Sequence, residues 1–174
     1  HVSARAWTLS GAMTLRQLAG QLTSVDPGRY QALTGEDIGQ AVARGEIGGT
    51  GLVGDRLREL QETAIANGHP PLLVKDDGRR GFYIVGPFPL YCFDMEPIRR
   101  AHAQAAEDAA IAGVSLIRLT CDYAFAANQG RSQEGGLVAC PRLMSEITRA
   151  STEGLMSTGA VEVVLKHMGP YQYT

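Results

Sequence analysis

Polar residues stand where three apolar runs of this chain end, and an Arg follows one of them. Asp76-Asp77 follows Pro71-Leu72-Leu73-Val74, and Asp122 follows Val114 to Cys121. Lys166-His167 follows Val161 to Leu165, and Arg131 lies on the long stretch after Asp122. Residues just past the C-terminal ends of parallel strands form the rim on which α/β proteins place their sites. Carboxylates accept hydrogen bonds from paired hydroxyls, Lys and Arg donate, and an imidazole can do either. The set therefore suits a polyhydroxylated ligand. For acid–base chemistry the candidates are Asp77, Asp122 and His167, with Asp76 and Glu134 behind them. Taken singly, Asp-Asp-Gly also reads as a turn, Lys-His as a salt-bridged rim and Arg131 as a surface residue. Order and spacing together favour a site.

The elements that must position these residues alternate along the chain. Thr14 caps a helix, with Gln17 three residues on completing a capping box, and Leu15, Leu18, Ala19 and Leu22 follow at helical spacing. Asp26-Pro27-Gly28 reads as a turn. Thr34-Gly35-Glu36-Asp37 opens a helix with Ile38, Ala41 and Val42 on its apolar face, ending near Gly45. Ile47 to Gly54 reads as a glycine-rich buried strand whose small residues admit a neighbouring backbone or a ligand. Leu57 to Ala66 is a helix stopped by Asn67-Gly68, and Pro71 to Val74 is the second strand. An Ala-rich helix runs from Glu96 to Ala112, with Pro97 in its first turn and Gly113 ending it. Val114 to Cys121 is the third strand, Leu143 to Met156 a helix, and Ala160 to Lys166 the fourth strand. Residues 79–92 and 123–140 are loops, the second long enough to be functional or mobile. Residues 1–12 show no period and read as a tail, with Trp7 tucked onto the body. The expectation is an α/β fold: a parallel sheet with crossover helices and about four β/α units, occupying residues 13–174.

Bulk properties narrow the function classes. The 174 residues suffice for one domain, and a chain of this size buries roughly 70% of its unfolded surface. With 44% hydrophobic and 20% charged residues the composition is that of a globular protein. A net charge of −2, with only the Arg79-Arg80 and Arg99-Arg100 doublets as basic clusters, gives no case for nucleic acid or an anionic membrane. Cys92, Cys121 and Cys140 lack metal-type spacing, and an odd count argues against a disulfide framework; they read as reduced core or edge residues. His69, His102 and His167 lack ligand spacing and His1 is terminal, so no metal and no cofactor is implied. No apolar run reaches the roughly 20 residues of a bilayer span. The start, His1-Val2-Ser3-Ala4-Arg5, has neither a Met nor an apolar signal core. A soluble protein is expected, its compartment left open.

In order, these segments resemble the N-terminal (β/α)8 domain of glycoside hydrolase family 3, the β-glucosidases and β-N-acetylhexosaminidases. Met13-Thr14-Leu15 with Gly20-Gln21-Leu22 is similar to the family's opening M-T-L-x-x-K-x-G-Q-L. Ile47-Gly48-Gly49 is similar to its I-G-G strand, and Pro71 to Asp77 to P-L-L-F-G-E-D. Gly81 and Pro87-Phe88-Pro89-Leu90 follow the later G and F-P-x-P-L. Phe93-Asp94 and the helix to Gly113 resemble the F-D-P-E helix with its A-x-G-I ending. Asp122 with Gly130-Arg131-Ser132 resembles D-V-x-R-D-P-R-W-G-R. Pro141, Leu143, Ser145 and Glu146 resemble D-P-Y-L-V-S-E-M, and Lys166-His167-Met168 with Tyr171 resembles K-H-F-x-G-Y. There are departures: Arg79-Arg80-Gly81 replaces H-G, Phe125-Ala126-Ala127 replaces R-D-P, and Asn128-Gln129 replaces the R-W of R-W-G-R.

The resemblance implies that Asp77, Arg131, Lys166 and His167 grip a sugar in the first subsite. It implies a retaining mechanism, with an Asp nucleophile and a separate carboxylic acid, both later in the family's sequence than this chain reaches. It also implies half of a TIM-type (β/α)8 barrel, which ordinarily takes about 250 residues. Four strands alone would leave open parallel edges, and a symmetric homodimer completing the barrel would close them. Three readings stay open: a truncated glycosidase-like hydrolase of a β-linked sugar or glycoside, a non-catalytic sugar-binding half-barrel, and a fragment without independent activity.

Overall fold

The capping box at Thr14 forms. The Thr14 hydroxyl accepts from the Gln17 backbone, and the Gln17 side chain accepts from the Thr14 N–H at 2.9 Å. The structure, a computed structural model, describes residues 3–76, 94–121 and 140–166. These fall into two compact units, His1–Lys75 and Asp76–Thr174.

In the first unit, α1 (Ala4–Gly11) replaces the expected periodless tail. Ser3 caps it, and none of its residues is buried. Trp7 is 69% exposed rather than tucked onto the body. Helix α2 (Leu15–Gln21) follows, then β1 (Ser24–Val25), a strand not foreseen. Asp26-Pro27-Gly28 opens helix α3 (Pro27–Thr34) instead of a turn: Asp26 accepts from the Arg29 N–H at 3.0 Å, and Pro27 takes the first helical position. Helix α4 (Ile38–Ala43) is capped by Asp37, β2 (Gly49–Thr50) is short and buried, α5 (Asp55–Ala66) follows, and β3 is Leu73–Asp76. The strands β1, β2 and β3 pair in parallel, with Val25 opposite Thr50 and Thr50 opposite Val74. Ile38, Ala41, Val42, Ile47, Leu60, Ala64 and Leu72 make the core of this unit.

Helix α2 corrects a reading of periodicity. Its leucines have helical spacing, yet Leu15 is 83% exposed and the C-capping Leu22 91%. The face turned inward carries Gly20 instead. A methyl there would lie 2.5 Å from the Glu46 carbonyl carbon. Gly48 admits the Gln21 backbone and Gly49 the Leu73 carbonyl in the same manner. Of the glycines foreseen as room for a backbone or a ligand, Gly48 and Gly49 are therefore occupied by backbone, while Gly54 has open space around it. Around this contact, Arg44 forks onto Glu36 at 2.6 and 2.9 Å and reaches Glu46 at 3.0 Å, while Tyr30 donates to Glu36 at 2.9 Å. The Arg44 bonds first and the Tyr30 bond second hold the Glu36 carboxyl below the usual value of 4.5.

In the second unit, α6 (Glu96–Ile111) precedes β4 (Leu116–Thr120), and α7 (Pro141–Ser157) precedes β5 (Glu162–Lys166). The pair β4–β5 is parallel, with Leu116 opposite Glu162 and Thr120 opposite Lys166. Among the described residues there are five strands where four were expected, and every described pairing is parallel. The expected α/β fold, parallel strands linked by crossover helices, holds. Helices α4, α5 and α6 stop in one way: Gly45, Gly68 and Gly113 take φ of 73°, 75° and 84°, and the next N–H bonds back to Ala41, Ala64 and Ala109. Ile98, Ile147 and Ala150 form the core between α6 and α7. There the two backbones nearly touch: a methyl on Gly154 would sit 2.2 Å from the Arg99 carbonyl oxygen.

Both glycine contacts are testable. Gly20→Ala and Gly154→Ala should each lower the unfolding free energy by roughly 1–3 kcal/mol, the usual loss on overfilling a packed contact. Urea melts measure it, and an unmoved midpoint would show that the contact is loose. A second expectation concerns pH. Glu36 and Glu46 are held below 4.5, by Arg44 in the first place, so their contribution is complete above that value and is lost as pH falls through the depressed ones. In Arg44→Met, melting temperature followed from neutral to acid pH should fall less steeply than in the wild type.

Candidate functional site

Two of the proposed groups, Asp76 and Lys166, close described strands. Lys166 closes β5 and lies in register with Thr120, which closes β4. The strand ladder fixes this pairing, and its first rung is the Glu162 N–H donating to the Ser115 carbonyl at 2.9 Å. Asp76 closes β3 and is 2% exposed. Val74 is also buried, while Leu73 is 47% exposed and Lys75 half-buried, so Asp76 shares the covered face of its strand. Asp77, Asp122, Arg131, Glu134 and His167, and most of the two loops at 79–92 and 123–140, lie outside the described residues. Of the gripping set, Lys166 is placed by its backbone.

Two further polar residues come into view. Thr50, wholly buried at the end of β2, accepts from the Leu52 N–H at 3.3 Å and so turns the chain at that strand end. Arg118 sits within β4 between Ile117 and Leu119, which are buried, while Arg118 itself is half-buried and opposite Val164. Strand alternation puts it on the face away from those two side chains. The sequence signal was available, since Arg interrupts Leu116-Ile117-Arg118-Leu119, but an apolar-run reading passes over it. A guanidinium there can donate to carboxylate or hydroxyl oxygens.

The described histidines serve the fold. His69 donates from Nε2 to the Ala43 carbonyl at 3.0 Å, and His102 donates from Nδ1 to the Ile98 carbonyl at 2.8 Å. Among the described residues, no group of three His, Cys, Asp or Glu side chains could hold a metal ion. Cys140 is an exposed free thiol, Cys121 is half-buried, and Cys92 lies outside the described residues. Among the described residues, no helix is long and apolar enough to cross a membrane.

No family model and no curated protein matches the sequence. Solved structures do match the fold. A β-glucosidase from Listeria innocua, a mutant in complex with laminaribiose, superposes with a TM-score of 0.77 at 19% identity, over 96% of this chain and 26% of its own. LpqI of M. tuberculosis gives 0.70 at 18% identity, over 93% of this chain and 50% of its own. A GH3-family glycosyl hydrolase from Mycobacterium smegmatis gives 0.57 at 18%, over 91% and 49%. The chain has the fold of a family 3 glycoside hydrolase. It spans half or less of the length of these relatives. At such identities the likeness establishes the fold.

Proposed function

We propose that this chain grips a β-linked sugar as a glycosidase-like protein of family 3 type, with the ligand held at the strand ends of the second unit. The supporting observation is the 0.77 superposition over 96% of the chain on a β-glucosidase solved with laminaribiose. Asp77 accepts from ring hydroxyls, and Arg131, Lys166 and His167 donate to them. Hydrolysis would require a carboxylate pair, for which Asp77 and Asp122 are the candidates, with His167 as acid or base. Binding without turnover is the second reading.

Calorimetry with laminaribiose and isofagomine, run beside turnover of nitrophenyl β-glycosides, separates the two. Asp77→Ala and His167→Ala should each weaken binding at least about tenfold, the scale of one lost charge-assisted hydrogen bond. Turnover that persists in the double variant would reject the site.

The homodimer completing the barrel is proposed on the same footing. Val164 and Leu165, successive residues of β5 on opposite faces, are 43% and 46% exposed, and β4 is its only partner among the described strands. Such a strand invites a further one. Light scattering after size exclusion should give twice the mass of one chain, and a stable monomer on dilution would refute the dimer.

A further inference from the structure

His102 takes no part in the strand-end site, yet it lies at the tightest contact of the second unit. It is 2% exposed at mid-α6, and its Cβ would stand 2.9 Å from a methyl on Gly154 of α7. The bond from Nδ1 to the Ile98 carbonyl at 2.8 Å fixes the proton on Nδ1, so the neutral ring fits the contact. One turn away, Arg99 joins Glu153 of α7 at 2.8 Å and also bonds Glu96. Of the other charges on α7, Glu146 and Arg149 pair with each other, Arg142 is exposed in its first turn, and β4 contributes Arg118. Burial comes first in lowering the imidazole below its usual 6.5, with the Ile98 carbonyl opposing, and no charged side chain enters. A second proton would therefore place an unpaired charge where two helix backbones meet.

We propose that His102 is a proton-operated latch: neutral, it lets α6 and α7 close at Gly154, and protonated, it opens that seam and loosens β5. Helix α7 leads directly into β5, packs against it, and β5 ends at Lys166. The sign follows from the direction of the shift. The opened chain binds the proton more readily than the closed one, so the seam is fully stable above about 6.5 and weakens as pH falls towards the depressed value. Each pH unit between the two values favours opening by up to about tenfold. A weaker grip on ligand at Lys166 in acid is the further consequence, and that part rests on the sugar-binding reading.

Hydrogen exchange of the full chain without sugar tests the latch independently of that reading. Between about pH 7.5 and about pH 5, the range in which imidazoles change charge, α7 and β5 amides should lose roughly tenfold protection after correction for intrinsic rates. Helix α5 of the first unit should not. In His102→Gln, which keeps a donor for Ile98 but cannot titrate, the loss should vanish. Equal loss in the variant, or none in the wild type, would overturn the proposal. Should the variant not fold, the His102 Cε1–H resonance of the wild type decides: a midpoint below 6.5 is expected, and one at or above it refutes the latch.

Discussion

The parallel pairing of β4 with β5 sets Thr120 beside Lys166, and it depends on how closely α6 and α7 can pack. Parallel strands need crossover segments, and each crossover helix must lie on the sheet beside its neighbour. At Gly154 that requirement reaches its limit, since any side chain would enter the Arg99 carbonyl. Arg99 then ties the two helices at their exposed side, through Glu153, while Ile98, Ile147 and Ala150 fill the contact from within. The first unit uses the same device. Gly20 and Gly48 bring the α2 backbone onto the chain entering β2, and the Arg44 cluster closes over it.

Much of the fold was legible because its signals are local. The Thr14–Gln17 box and the glycines after α4, α5 and α6 each act through a few neighbouring residues, so sequence shows them directly. What was missed has a physical reason too. Strand β1 has two residues, too few to show alternation. Asp-Pro-Gly satisfies a turn and a helix start equally, because Asp caps and Pro suits the first helical turn; the following Arg29-Tyr30-Gln31 run was the evidence for a helix. In α2 the leucine spacing is truly helical, but periodicity cannot say which face is covered. Packing chose the small face.

The candidate site was legible as a pattern of strand ends. Along β3, Asp76 falls with Val74 on the covered face, something the Asp76-Asp77 doublet itself does not reveal. Arg118 needed the opposite kind of reading: a charge inside an apolar run becomes informative only once Ile117 and Leu119 are seen to define the covered side.

The placement of Trp7 has a practical consequence. It is the sole tryptophan of the chain and stands in water on a helix that buries nothing. Its indole emission therefore resembles that of an unfolded chain from the outset, and melting of either core would pass almost unseen by tryptophan emission. Circular dichroism or calorimetry would register a transition to which the indole stays blind.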